Sequence, residues 1–164
     1  MSQIYLSIGS NKGNRYSYIK ESLDMIRKDV GDIELISKIY ETKAWGFESD
    51  DFLNLCILVR SKLSPDELLI NLKYIENKIG RKFYSHKIKA REIDIDILFY
   101  STKIINKKGL IIPHPRLEIR NFVLVPLNDI ASSFNHPILN KSIKQLLEVS
   151  TDNDLPKKTL LNLS

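Results

Sequence analysis

From Arg91 to Tyr100 the chain reads Arg-Glu-Ile-Asp-Ile-Asp-Ile-Leu-Phe-Tyr, and this stretch restricts the fold more than any other. Its two-residue alternation suits a β-strand, with Ile93, Ile95, Ile97 and Phe99 on one side and Asp94 and Asp96 on the other. The first side is a core face. On the second, two carboxylates sit roughly 6 to 7 Å apart along the strand. Like charges held that close repel, so a cation between them is the economical answer, either one divalent metal or a pair. A solvated strand face is the competing reading, since half-buried antiparallel sheets often show one. Asp is disfavoured in strands, however, and two in succession are an odd way to make a polar surface.

The rest of the chain supplies layers for that strand. Residues 3 to 9 alternate as a first strand, and Gly9-Ser10-Asn11-Lys12-Gly13-Asn14 breaks it. Ile19, Leu23, Ile26 and Val30 then recur at helical spacing, with Gly31 placed to cap the end. Residues 33 to 42 and 52 to 60 read as strands. Ser64-Pro65-Asp66-Glu67 is a helix start with a capping box, and Leu68, Leu72, Ile75 and Ile79 keep helical period up to Gly80. The order β-α-β-β-α-β predicts an α+β fold, a ferredoxin-like antiparallel sheet with both helices on one face and the other face free for a site.

After Tyr100 the pattern predicts C-terminal additions. These are a hairpin from 103–105 and 110–112, a rigid Pro113-His114-Pro115-Arg116 connector, a partly buried apolar stretch from Phe122 to Ile130, and a short helix over 142–149. The tail from about Ser150 is polar and reads as loosely held. With 164 residues the chain suits one domain, 1–164.

No apolar run approaches a membrane span, and the N-terminus lacks signal-peptide features, so the expected location is the cytoplasm. The single cysteine, Cys56, lies in an apolar run and reads as a small core residue. A net charge of +5 suits either nucleic acid or a nucleotide. Its distribution favours polyphosphate: Arg81, Lys82, Lys87, Lys89 and Arg91 crowd before the aspartates, and His114, Arg116 and Arg120 follow them. Residues 81 to 91 carry no apolar periodicity and read as a mobile loop able to close over a ligand, with a solvated charged loop as the bland alternative. The Gly9 to Gly13 run lacks the P-loop ending and the dinucleotide spacing and reads as a tight turn. Asn54 has the hydrogen-bond inventory to read a heterocycle edge, and Phe52 or Phe122 could stack on one, although each by itself is more often core. His86 and His136 make no metal-ligand spacing with His114.

Taken together, Gly9-Ser10-Asn11-x-Gly13, Tyr40-x-Thr42, Phe52-Leu53-Asn54, Glu76-x-x-x-Gly80-Arg81, Arg91-x-Ile93-Asp94-Ile95-Asp96-Ile97-Leu98, Pro113-His114-Pro115-Arg116 and Arg120-x-Phe122-Val123-Leu124-x-Pro126-Leu127 resemble the 6-hydroxymethyl-7,8-dihydropterin pyrophosphokinase family. The resemblance runs from Ile4 to about Ile130. It implies a folate-pathway transferase that moves diphosphate from MgATP to a pterin alcohol and releases AMP. By position it implies that Asp94 and Asp96 hold two Mg²⁺ ions. Arg81, Arg91, His114, Arg116, Arg120, Glu76 and Ile97 would then serve ATP, with Arg81, Arg91 and the two aspartates catalytic. Thr42, Lys43, Trp45, Phe52, Asn54 and Phe122 would serve the pterin. A monomer without nucleic-acid or membrane partners is the implied state.

The chain departs from the family where a Trp-Gly-Pro-Arg run often stands. Here the residues are Ile88-Lys89-Ala90-Arg91, and Phe83 replaces an arginine often found after the Gly-Arg pair. Two other classes remain in view. One is a ferredoxin-like RNA-binding module, against which the two carboxylates on the open face argue; the other is a two-metal phosphohydrolase, which would release free phosphate.

Overall fold

The computed structural model describes residues 1–43, 51–80 and 92–163. Nine residues of alternating pattern make the central strand β1 (Ser2–Ser10), and α1 (Arg15–Asp29) follows the Gly13 turn. Gly13 lies at φ +65°, where other residues are strained. Asn14 starts the helix, its side chain accepting the Ser17 N–H at 3.0 Å. Strands β2 (Asp32–Ile36), β3 (Tyr40–Thr42) and β4 (Phe52–Ser61) come next, then α2 (Pro65–Gly80) and β5 (Asp94–Tyr100). The Ser64 capping box forms as expected: Ser64 N–H donates to Glu67, and Glu67 N–H donates to Ser64.

The additions are β6 (Ile105–Lys107) and β7 (Leu110–Ile112) as a hairpin, a 3-10 turn at Leu117–Ile119, α3 (Asn121–Ala131), α4 (Ile143–Glu148) and β8 (Lys157–Lys158). All pairings in the main sheet are antiparallel, in the order β5-β1-β4-β3-β8, with β2 also on β4. The ferredoxin-like βαββαβ reading therefore holds. Among the described residues no helix is long and apolar enough to cross a membrane.

One sheet face carries Ile4, Leu6, Ile8, Leu55, Ile57, Ile95 and Ile97 against Ile19, Leu23, Ile26, Leu68, Leu72 and Ile75 of α1 and α2. This core forms because the strand and helix periodicities bring every apolar stripe to the same layer. Gly31 closes the helix end as expected, its N–H donating to the Ile26 carbonyl at 3.0 Å, with a φ that is not positive. What excludes a side chain there is the β4 backbone, since a Cβ on Gly31 would meet the Arg60 carbonyl oxygen at 2.2 Å.

Some expectations need correction. Phe99 does not share a face with Ile93, Ile95 and Ile97. In β5, Ile97 pairs with Leu6 and Phe99 with Tyr5, which leaves Leu98 as an extra, bulged residue and reverses the alternation beyond it. Phe99 then packs edge-on to Tyr5, and Tyr100 joins the helix-side core. The stretch 33 to 42 is two strands rather than one, because at Lys38 the backbone N–H turns to Asp129 of α3 at 3.2 Å.

The second sheet face is also only partly free. Tyr5, Cys56, Leu58, Leu98 and Phe99 are covered by Leu117, Val123, Leu124 and Leu127 and by Ile143 and Leu146 of α4. The apolar Phe122 to Ile130 stretch is the helix that does this.

The segment after Ser150, which its polarity marks as loosely held, makes defined contacts. It crosses the edge of the sheet as β8 beside β3, and Thr159 N–H and its hydroxyl both donate to the Ile39 carbonyl at 2.9 Å. Tyr16 of α1 donates its hydroxyl to the Asn162 carbonyl.

Candidate active site

The uncovered end of the second face is set by strand register. Gly9 of β1 lies between Asn54 of β4 and Asp94 of β5, and one row below it Ser7 lies between Cys56 and Asp96. At about 4.8 Å per strand spacing, this places Asn54 and Asp94 about 10 Å apart across a glycine floor. A Cβ on Gly9 would stand 2.9 Å from Asn54 Oδ1, so the glycine is what leaves Asn54 its position. The sequence reading treated Gly9 as part of a turn. Its signal as floor was the strand parity it shares with Ser7.

On the Asn54 side, the side-chain amide donates to Thr42 Oγ1 at 2.9 Å, and both residues are buried. Phe52, paired with Thr42, is half-buried, and Lys43 is exposed just beyond it. Phe122 stands at the start of α3, half-buried, with the Arg120 guanidinium carbon 5.5 Å from its ring centre. The far end of α3 is fixed as well: Asp129 accepts the Tyr40 hydroxyl at 2.9 Å, and burial together with that carboxylate pushes the Tyr40 phenol up to about 12. Cys56 lies fully buried below this pocket against the Val123 carbonyl, and burial pushes its thiol up, which bears out its reading as a core residue.

On the Asp94 side, β5 is the edge strand, so its outer backbone groups are open to other partners. Glu76 of α2 takes one of them, accepting the Ile95 N–H at 2.8 Å. Burial and the nearby Asp94 charge push the Glu76 carboxyl up to about 7, against the opposing effect of the Ile95 bond; Lys73 stands 3.4 Å from its other oxygen. Strand parity puts the Ile97 N–H on the same outer edge. A cleft of about 270 Å³ opens there, lined by Leu69, Lys73, Asp96, Ile97, Leu110 and His114.

His114 is placed by the bulge, its N–H donating to the Leu98 carbonyl at 3.0 Å. Its Nδ1 accepts the Arg116 N–H at 3.1 Å, which leaves Nε2 as the ring donor when the imidazole is neutral. Burial, then Arg120 and Arg116, hold its pKa below the usual histidine value. His136 is a turn residue instead, its Nδ1 accepting the Ile138 and Leu139 N–H groups at 3.1 Å.

Two half-exposed aspartates on one strand face are hard oxygen donors of the kind Mg²⁺ takes. Among the described residues no group of three or more His, Cys, Asp or Glu side chains converges on a metal position. The two carboxylates suit a divalent cation, with water or phosphate oxygens able to supply further ligands. Arg81, Arg91 and Trp45 lie outside the described residues, as do His86 and the divergent Lys82 to Ala90 segment.

The comparisons with known proteins decide among these chemistries. Residues 5–132 match the family model described as 7,8-dihydro-6-hydroxymethylpterin-pyrophosphokinase (HPPK). The chain belongs to this family. As a member it is a pyrophosphokinase, an ATP-dependent diphosphotransferase.

A 2-amino-4-hydroxy-6-hydroxymethyldihydropteridine pyrophosphokinase from Aquifex aeolicus is 43% identical over 92% of this chain and 94% of its own. One from Porphyromonas gingivalis is 41% identical over 80% and 92%. Among solved structures, an HPPK-DHPS chain in complex with substrates shares the fold with a TM-score of 0.76 at 18% identity, covering 90% of this pyrophosphokinase. This chain spans 43% of that longer one, and 44% of a Plasmodium falciparum HPPK-DHPS matched with a TM-score of 0.74 at 19% identity. The RNA-binding and phosphohydrolase alternatives find no support among these relatives.

Proposed function

We propose that this chain carries out the folate-biosynthetic reaction named for its relatives, transferring diphosphate from ATP to the hydroxymethyl group of 6-hydroxymethyl-7,8-dihydropterin. The observation that carries the reading is the Asn54-Gly9-Asp94 row. It sets a polar pocket fit for a heterocycle beside a carboxylate pair fit for metal-bound polyphosphate.

In this reading Asn54 and Thr42 hydrogen-bond the pterin edge, Phe52 and Phe122 bracket its ring, and Lys43 stands at the rim, while Trp45 is assigned to the pterin by the family resemblance alone. Asp94 and Asp96 hold two Mg²⁺ ions. These ions would offset phosphate charge and lower the cost of the attacking oxygen's charge. The neutral His114 donates Nε2–H to a phosphate oxygen, and Arg120 and Arg116 add charge at the same end; the family resemblance adds Arg81 and Arg91 to the ATP contacts. The outer edge of β5, with Ile97, faces the nucleoside, and Glu76 fixes that edge from behind.

The hydroxymethyl oxygen attacks the β-phosphorus in line, the bond to the α-β bridging oxygen breaks, and AMP leaves with that oxygen's electron pair while the alcohol proton passes to solvent. In this reading the acting unit is a monomer in the cytoplasm.

The test is a Mg²⁺-dependent assay with ATP and the pterin alcohol, following AMP and the pterin diphosphate together. Equal amounts of both are expected. Free phosphate in place of the pterin product would overturn the reading.

A further inference from the structure

Helix α3 opens at the residues that serve both substrates in the proposed reaction, yet its own N-cap gives it nothing. The cap position is Arg120, an extended residue whose side chain makes no capping bond, and an arginine has no acceptor to offer. The missing acceptor arrives from 31 residues downstream. Asp152 Oδ2 accepts the Asn121 N–H at 2.7 Å, while its Oδ1 accepts the Asp154 N–H at 3.0 Å and its own N–H donates to Ser150 Oγ at 3.2 Å. Asn121 answers with its side-chain amide, which donates to the Asp152 and Asp154 carbonyls at 3.1 and 2.9 Å. The buried Asn121 stands directly between Arg120 and Phe122.

We infer that Asp152 is a positioning residue for substrate binding, supplying from the C-terminal segment the helix cap that fixes Phe122 and Arg120. The inference rests on the proposed reaction for what those two residues hold. A carboxylate is among the preferred capping groups and also suits the positive end of the helix. Using it frees the Arg120 side chain for other work. The division of labour is legible in the bonds: the local residue contributes the cation and a remote one the cap.

A second observation places the same segment beside two of the residues assigned to the pterin. Asn153, Asp154 and Leu155 face Thr42 and Lys43 across a cavity of about 390 Å³. This segment lies beyond the residues that match the family model, so its part in the site comes from this chain's own contacts.

The experiment compares Asp152→Ala, Asp152→Asn and Asn14→Ala with the wild type. Asn14 caps α1 in the same manner but far from Phe122 in the chain, so its loss gauges what a missing cap does to stability alone. Asp152→Ala is expected to raise KM for the pterin about fivefold. Asp152→Asn, which keeps an acceptor oxygen, leaves KM at the wild-type value, and Asn14→Ala loses a similar Tm with KM unchanged. If Asp152→Ala does not fold, Asp152→Ser, whose hydroxyl falls short of the Asn121 amide, carries the same expectation at about twofold. Equal KM values in Asp152→Ala and Asn14→Ala overturn the inference. Wild-type turnover in the same series tests the reaction separately. Should that fail, amide exchange over residues 121 to 124, faster in Asp152→Ala than in Asn14→Ala, decides the role of Asp152.

Discussion

Glu76 Oε2 accepts the Ile95 backbone N–H at 2.8 Å, which fastens α2 to β5 midway between the two aspartates. A carboxyl so placed is protonated more readily than in the unfolded chain, because burial and the Asp94 charge raise it from 4.5 to about 7. Below pH 4.5 both states hold the proton and its contribution to stability is complete. As pH rises through about 7 the unfolded chain has already lost the proton, so stability declines across that window. Urea unfolding of the metal-free protein should show this fall, and Glu76→Gln should flatten it. Parallel curves for the two proteins would count against the account.

Removing either aspartate should damage turnover far more than folding. Asp94 and Asp96 are half-exposed, so Asp94→Ala and Asp96→Ala leave the core intact. Loss of a metal-binding carboxylate is expected to lower kcat on the order of a hundredfold or more. Rates across a Mg²⁺ titration, with Tm recorded alongside, separate the two effects; wild-type rates in either variant would remove these residues from the chemistry.

Asn54→Ala should weaken pterin binding and also destabilise the fold. It strands the buried Thr42 hydroxyl, at a cost of about 1–3 kcal/mol. Gly9→Ala reaches the same pocket from the neighbouring strand, because its Cβ would press on Asn54 Oδ1 at 2.9 Å. A raised KM for the pterin with KM for ATP little changed is the signature expected of both variants in steady-state assays.

Gly31→Ala offers the contrasting case. Its Cβ would meet a backbone oxygen at 2.2 Å, and β4 cannot yield without disturbing the sheet. Overpacking of this kind costs about 1–3 kcal/mol, or roughly 3 to 10 °C in Tm. Both KM values should stay at wild type when assayed well below the melting temperature, and calorimetry should record the loss.

The βαββαβ core was readable because its signals are local: alternation for strands, the Leu68 to Ile79 stripe for α2, and the Ser64 box for its start. The same is true of the Asp94-Asp96 face. Phe99 was misplaced because a bulge is decided by cross-strand register, which the residues around Leu98 do not display. The partial cover of the second face escaped for a related reason. Residues 122 to 130 show where apolar surface lies but not which surface it meets. Asp152 was missed because the cap it supplies is 31 residues distant, and a polar tail looks the same whether or not it has a partner.

The bulge at Leu98 has a consequence for how this chain can change. Losing that one residue would straighten the strand: Phe99 would still pair with Tyr5 and Tyr100 with Ile4, but the carbonyl that anchors His114 would be gone. Substitutions in β5 can be absorbed side chain by side chain. Its length cannot, because the one extra residue carries the carbonyl that seats the histidine.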